Sequence, residues 1–234
     1  MDIIARVYTD FGGKFGVPRQ SGLVSELRAV LEFEPAYRNR DAVRGLEAYS
    51  HIWLIWRFSK NQNRGWNPTV RPPRLGGNER VGVFASRSPF RPNPIGLSCV
   101  KLHQVLADAE GGPKLILGGA DLVNGTPVYD IKPYIPYADC KPEATGGFTD
   151  AVEWEEALEV RLSGEEARKL PKEKADALKA VLACDPRPAY QRGSQRSYGF
   201  VFAGMNVRFH VEQRILFIDH IEKEQKNESK DSGK

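Results

Sequence analysis

Apolar and polar residues alternate in short runs along the first 138 residues. Ile3–Tyr8, Ala29–Phe33, His51–Phe58, Val81–Ala85, the run from Leu97 to Val105, Lys114–Leu117 and Thr126–Ile131 each carry the two-residue period, or the β-branched and aromatic content, of a strand. Against these seven runs stands one short helix, predicted over residues 42–47 with Asp41 as its cap. Glycine-rich Asp10–Gly22 and the long stretch Asn61–Asn78 read as loops. Many strands with almost no helices between them exclude a doubly wound sheet. They predict a mainly β N-terminal barrel over residues 1–138.

The pattern then changes. Residues 139–152 are polar and rich in glycine and proline, as expected of a linker. Trp154–Leu162 alternates like a strand. Gly164–Cys184 reads as helix, with Glu165 and Glu166 early and lysines later, the order that complements the helix dipole. Pro171 should divide that helix in two. Tyr198–Phe202, Asn206–Glu212 and Ile215–Ile221 complete a small α+β unit over 153–222, and residues 223–234 form a charged tail expected to fray. No internal repeat is visible.

Composition narrows the class. With 41% hydrophobic and 27% charged residues, the 234-residue chain resembles a soluble globular protein. It has no run near the roughly 20 apolar residues of a membrane span, and its first residues lack the charged-then-apolar order of a signal peptide. The three cysteines (Cys99, Cys140, Cys184) are widely spaced and make no CxxC pair, so neither a disulfide framework nor a structural zinc site is expected. A reducing, cytoplasmic setting follows, with Cys99 read as a small buried hydrophobe. The four histidines, at 51, 103, 210 and 220, lack ligand spacing, and no metal is expected.

Charge is the first pointer to function. The net charge is +4, but Arg57–Lys101 alone contains nine basic residues (Arg57, Lys60, Arg64, Arg71, Arg74, Arg80, Arg87, Arg91, Lys101) and one acid, Glu79. That block carries +8 and the remainder −4. Basicity concentrated in this way favours a polyanion or an anionic small molecule. Aromatics are interleaved with it. Trp53 and Trp56 fall in a strand and read as core, whereas Trp66 and Phe90 fall in loops and are candidates for stacking on bases. Within the block, Arg87-Ser88-Pro89-Phe90-Arg91-Pro92-Asn93-Pro94-Ile95-Gly96 has three prolines that forbid helix and remove three backbone donors. It must be a stiff extended loop holding two guanidinium groups. Taken alone, the loop is equally a rigid connector with solvated arginines. Asp185–Tyr190 is a second proline-locked, basic and aromatic loop, in the other unit.

No GxGxxG follows a strand and no GxxxxGK[ST] is present, which removes the support for a Rossmann site or a P-loop. Asp121 and Asp130 lie near strand ends beside glycine- or proline-rich turns, and Asp130 and Lys132 share one face of an extended segment. Spacing alone leaves a structural salt bridge as the simpler account of that pair.

Seven segments carry a family resemblance: Phe15–Gln20 (FGVPRQ), Asp41–Glu47 (DAVRGLE), Trp66–Gly77 (WNPTVRPPRLGG), Val83–Gly96 (VFASRSPFRPNPIG), Asp121–Val128 (DLVNGTPV), Asp130–Tyr134 (DIKPY) and Asp185–Tyr190 (DPRPAY). In that order they span nearly the whole chain, which closely resembles the TsaA-like/TrmO family of tRNA methyltransferases. The last segment belongs to a second domain that shorter relatives lack. The resemblance implies a TsaA-like methyltransferase barrel that acts as a homodimer. It would use S-adenosylmethionine to methylate the N6 nitrogen of threonylcarbamoyladenosine, position 37 beside the anticodon of threonine tRNA. Matched by motif, the cofactor contacts fall on Pro18, Arg19 and Gln20, on Ser59 and Lys60, on Arg87, on Leu97, and on Gly118, Gly119, Ala120 and Asp121. The family carries His-Gln where this chain has Ser59-Lys60, so that contact is expected to run through backbone or to differ here.

Such a reaction agrees with the residues. Methyl transfer from a sulfonium is an in-line displacement that needs no metal and no covalent enzyme intermediate, so its main demand is alignment of donor and acceptor. The acceptor nitrogen is conjugated and weakly nucleophilic, and a proton acceptor would help. Asp121 or Asp130 is expected to take that proton or to balance the sulfonium charge. Arg91, Lys132, Arg187 and Tyr190 are expected to contact the anticodon stem-loop. Two other readings remain open from sequence: a non-catalytic RNA-binding barrel, and an enzyme that uses its arginines on phosphorylated small molecules.

Overall fold

A computed structural model describes residues 1–61, 65–72, 79–150, 157–187 and 196–224. In chain order it holds β1 (Ala5–Tyr8), β2 (Arg28–Phe33), β3 (His51–Arg57), β4 (Thr69–Val70), β5 (Val81–Gly82), β6 (Ile95–Leu106), β7 (Lys114–Gly118) and β8 (Thr126–Pro133), then the short helix α1 (Pro136–Asp139). β9 (Glu159–Arg161), α2 (Gly164–Ala167), α3 (Lys172–Ala183), β10 (Tyr198–Phe202), β11 (Met205–Glu212) and β12 (Ile215–Lys223) follow.

Six strands close into a barrel in the order β1-β2-β7-β6-β3-β8. Every neighbouring pair is antiparallel. Closure leaves the barrel no free edge. The two-residue period does what the sequence predicts in β3, where Ile52, Leu54 and Trp56 are buried and the intervening residues are not. Their inward faces join Val7, Leu31, Val100, Leu115, Leu117 and Val128 in one core.

Three local expectations change. Asp41 does not cap a helix; it lies inside a 3-10 turn, Arg40–Val43, whose cap is Asn39, the side chain of which accepts from the Asp41 N–H. Val81–Ala85 is not a strand throughout, because β5 stops at Gly82 and a 3-10 turn over Val83–Ala85 turns Phe84 outward. The strand expected over Trp154–Leu162 is confined to Glu159–Arg161, with residues 154–156 outside the described part.

The second unit is a four-stranded sheet, β10-β11-β12-β9, with β9 parallel to β12 and the rest antiparallel. Pro171 separates α2 from α3, as expected of a residue without an N–H. The buried face of α3 (Ala175, Leu178, Val181, Leu182) packs in one core with Phe200, Phe209, Leu216 and Ile221 of the sheet.

That second core also contains residues from the start of the chain. Phe11, Val24 and Leu27 are buried in it, and Phe15 and Val17 pack against it. The segment from Phe11 to Leu27, of which Asp10–Gly22 was expected as a glycine-rich loop, is therefore a strap. It leaves the barrel after β1, sinks its apolar side chains into the second unit, and returns at β2. Phe11 bridges to Phe202, the Ala203 N–H donates to Asp10 O at 2.8 Å, and Lys174 Nζ of α3 lies 2.6 Å from Asp10 Oδ2. Phe15 meets Tyr198, Phe200 and Phe209 within 6.3 Å between ring centroids. Gly16, at φ +88°, lies so close to the Phe200 ring that a Cβ there would collide with it.

Phe11→Ala should empty a fully enclosed site and destabilise the fold by about 3–5 kcal/mol. Chemical denaturation followed by fluorescence checks this, and a loss under about 1 kcal/mol would mean that the strap is not held as described.

Candidate active site

The strap's apolar residues are fixed in the second core, and its next residues reach the mouth of a cavity at one end of the barrel. The cavity holds about 510 Å³, within the roughly 300–1,000 Å³ of small-molecule sites. Val17, Pro18, Arg19 and Gln20 form one wall; Trp56–Lys60 at the end of β3 form a second; Ser86, Arg87 and Pro89 of the proline loop, with Ile95–Leu97, form a third. Asp121 and Leu122 close the floor. The proline loop is braced from inside. Arg91 Nη1 donates to Ser86 O at 2.6 Å and to Val83 O at 3.2 Å, and its guanidinium lies 5.6 Å from the Phe84 ring centroid.

Six cations line the cavity among the described residues (Lys14, Arg19, Arg57, Lys60, Arg87, Arg91), against one carboxylate, Asp121. Asp121 is firmly held. The Trp56 indole N–H donates to Ser98 Oγ at 3.0 Å, and Ser98 Oγ donates to Asp121 Oδ1 at 2.7 Å. Burial is the largest influence on this carboxyl and pushes its pKa above the ordinary value of 3.8. The Ser98 bond, backbone N–H groups including that of Ser21, and the Arg87 charge oppose the shift without cancelling it. The strap thus touches the carboxylate through Ser21, and Gly22 N–H donates to Gly119 O at 2.8 Å.

The geometry rests on the β3–β6 register, which sets Trp56 opposite Gly96 and Leu54 opposite Ser98. The indole lies flat over Gly96, where any Cβ would strike its ring. Ser98 is only 2% exposed on the inward face of β6. Sequence reasoning did not single it out, although a serine at an inward position of an otherwise apolar alternation was the available signal.

Of the residues expected at the cofactor, Pro18, Arg19, Gln20, Ser59, Lys60, Arg87, Leu97 and Asp121 line this one cavity. Gly118, Gly119 and Ala120 do not; they are buried at the end of β7, where Gly119 carries the strap. The two candidate carboxylates are separated. Asp130 does not line the cavity; its Oδ2 lies 2.9 Å from Lys132 Nζ, the structural pair that spacing alone suggested. Arg187, expected at the RNA face, is buried in the second unit. Arg187 is 3% exposed, and its guanidinium donates to both oxygens of Asp185, at 2.8 and 3.0 Å. Arg91 is likewise turned into its loop. Lys132 is exposed, and Tyr190 lies outside the described residues. Cys99 is half-buried, its thiol pushed up chiefly by burial. Among the described residues no cluster of His, Cys, Asp and Glu could hold a metal, and no helix is long and apolar enough to cross a membrane.

A closed β-barrel with a cationic, small-molecule-sized cavity floored by one carboxylate, attached to a second α+β unit, defines a class of ligand-binding barrel. Comparison with known proteins places it more closely. The chain belongs to the TrmO family: the tRNA-methyltransferase O N-terminal domain matches residues 6–140, and the TrmO C-terminal domain matches residues 149–224. A tRNA (adenine(37)-N6)-methyltransferase of Escherichia coli K12 is 44% identical over 215 residues, covering 89% of this chain and 91% of that protein. One of the same name from Eikenella corrodens is 46% identical over 175 residues, covering 74% of this chain and 97% of that protein. The crystal structure of a TrmO from Pseudomonas aeruginosa superposes with a TM-score of 0.73 at 33% identity, covering 94% of this chain and 96% of that one.

Two stability outcomes follow. Ser98→Ala leaves the buried Trp56 N–H unpaired and should cost about 1–3 kcal/mol. Asp121→Asn should act in the opposite sense. The folded carboxyl keeps its proton to higher pH than the unfolded one, so wild-type stability falls as pH rises from the ordinary carboxyl value through the raised one. The Asn variant lacks that step. Its unfolding midpoint should exceed wild type at pH 7 and converge with it below about pH 4, as thermal melts across pH would read.

Proposed function

We propose that this chain transfers a methyl group from S-adenosylmethionine to the N6 nitrogen of adenine 37 in tRNA, where that adenine carries a threonylcarbamoyl group. One observation carries the reading. Three segments distant in sequence (the strap at 17–20, the end of β3 at 56–60, and the proline loop with the start of β6) meet at a single cavity with the Asp121 carboxylate in its floor. Relatives named tRNA (adenine(37)-N6)-methyltransferase align along nearly the whole chain, both units included, which supports the same reading.

The residues fit such a cofactor. Arg19, Arg87 and Lys60 offer donors for a carboxylate, Trp56, Phe58 and Leu97 offer apolar surface for a purine and a methionyl chain, and Asp121 offers a negative charge near a sulfonium. When bound, the cofactor supplies an electrophilic methyl group. The chain's part is to align, exclude water and manage charge. The Arg87–Gln20 hydrogen bond ties the strap to the proline loop across the mouth. Asp121, raised by burial, is a stronger proton acceptor than an ordinary carboxylate and is positioned to balance charge or to take the N6 proton. Asp130, engaged with Lys132 away from the cavity, is not assigned that role.

The exposed lysines and arginines of the 57–101 block supply attraction to RNA phosphates. We further assign the chain to a homodimer in a reducing, cytoplasmic setting; analytical ultracentrifugation reads the first directly.

Incubating the purified protein with S-adenosylmethionine and threonine tRNA bearing threonylcarbamoyladenosine should add one methyl to that nucleoside, read by mass spectrometry. No added mass on such tRNA would overturn the reading in favour of a non-catalytic RNA-binding barrel. Asp121→Asn should lower turnover at least tenfold, and the wild-type rate should fall as pH drops through the raised Asp121 pKa while the variant's rate stays flat. A variant with the wild-type rate and acid limb would remove Asp121 from the chemistry.

A further inference from the structure

A second and larger concavity adjoins the cavity. It is a groove of about 1,570 Å³ between residues 65–72, the 84–90 segment and residues 146–150. Arg19, Gln20, Ser86, Arg87 and Pro89 line both spaces. The hydrogen bond from Arg87 Nη1 to Gln20 Oε1 is therefore a ridge with the cavity on one side and the groove on the other.

The groove's chemistry differs from the cavity's. Four aromatic side chains line it, Trp66, Phe84, Phe90 and Phe148, and two of them are strongly exposed, Trp66 at 56% and Phe84 at 72%. Exposed aromatic surface gathered in one concavity marks an interaction site. The backbone holds it in shape: Asn67 N–H donates to Phe90 O at 3.1 Å, Val83 N–H donates to Pro68 O at 2.9 Å, and β4 pairs with β5. Arg91 beneath Phe84 fixes that ring from behind. Three cations, Arg19, Arg71 and Arg87, stand around the aromatics, and Arg71 is exposed with no ion-pair partner among the described residues. The one acid among the described lining residues, Asp150, turns its carboxylate back to accept from Gly146 N–H at 2.6 Å.

We infer that this groove receives the acceptor nucleoside, unstacked from its RNA loop, with the purine lying on Trp66 and Phe84 and the anionic carboxylate of the carbamoyl-amino acid meeting Arg71. The inference rests on the reaction proposed above and names its acceptor subsite. Aromatic faces stack bases without regard to the donor cavity, and an exposed arginine is matched to a carboxylate. A nucleoside in the groove needs only to direct its exocyclic nitrogen across the Arg87–Gln20 ridge to face the methyl donor. Trp66, Phe84 and Arg71 line the groove and not the cavity, so the two sites can be perturbed separately.

The test uses full-length protein, S-adenosylmethionine, and a synthetic anticodon stem-loop carrying threonylcarbamoyladenosine, beside the same RNA with plain adenosine. Trp66→Ala and Phe84→Ala should each weaken binding of the modified RNA by roughly 5- to 100-fold. Calorimetric affinity for S-adenosylmethionine should stay within about twofold of wild type, because neither ring lines the donor cavity. Arg71→Ala should erase most of the preference for modified over plain RNA, on the order of tenfold. If wild type methylates the modified RNA and all three variants match it in RNA binding and turnover, the groove inference is overturned while the reaction stands. If wild type transfers no methyl yet RNA binding depends on Trp66 and Phe84, the reaction falls and the groove remains a base-binding site. If the aromatic variants change only the oligomeric state, the groove is a contact between copies of this chain and the inference is overturned.

Discussion

The seating of Phe11, Phe15, Val24 and Leu27 in the core of the second unit is the constraint on which the site depends. A loop of this length between β1 and β2, rich in glycine, would by itself sample many conformations, and ordering it would cost entropy at every binding event. Burying its apolar side chains places that cost in the folding of the second unit instead. The residues between the buried anchors, Pro18 to Gln20, are then delivered to the barrel mouth already ordered. The second unit thus contributes to the cavity without lining it, since the cavity's described walls come from the strap and the barrel.

The same logic runs through the barrel side. Three stiff connections, the strap, the end of β3 and the proline loop, are each pinned at a different point: Gly22 to Gly119, Trp56 over Gly96, and Arg91 into its own loop carbonyls. Asp121 sits where all three meet, bonded by Ser98 and by the strap backbone at Ser21. Its raised proton affinity is therefore a product of the assembled fold. Burial supplies the shift, and the hydrogen bonds keep the carboxylate in one orientation without relieving the shift fully.

How much of this could be read beforehand depended on the range of the interaction. The barrel strands were legible because alternation is local: His51–Arg57 and Lys114–Gly118 lie within a residue of their expected limits. Pro171 dividing the helix was equally local. Errors arose where local signals competed, as with Asn39 and Asp41, two capping residues in one turn, or where an apolar residue served the surface. Phe84 made Val81–Ala85 look like a strand, yet it faces the groove, and hydrophobicity used for binding imitates hydrophobicity used for core. The strap's anchoring in the second core could not be read, because Phe11 and Phe202 are far apart in the chain and no periodicity marks Phe11 as core. The orientation of the arginines is illegible for a related reason. Charge and proline spacing say that a guanidinium is held, but not whether it is held outward, and Arg187 and Arg91 both turn inward.

That inward turn changes what the basic block does. An arginine spent on its own loop gives up phosphate attraction but makes the loop rigid, and rigidity is what an in-line transfer requires of its surroundings. Among the described residues of the block, the exposed Lys60, Arg71 and Arg87 line the two concavities. A long-range positive field needs only net charge and is screened by salt within about a Debye length. Cations concentrated at aromatic-lined openings act at close range, where geometry discriminates among ligands. On the function proposed above, the cations at the two concavities serve selection of the nucleoside, and the other exposed members of the block serve attraction to RNA.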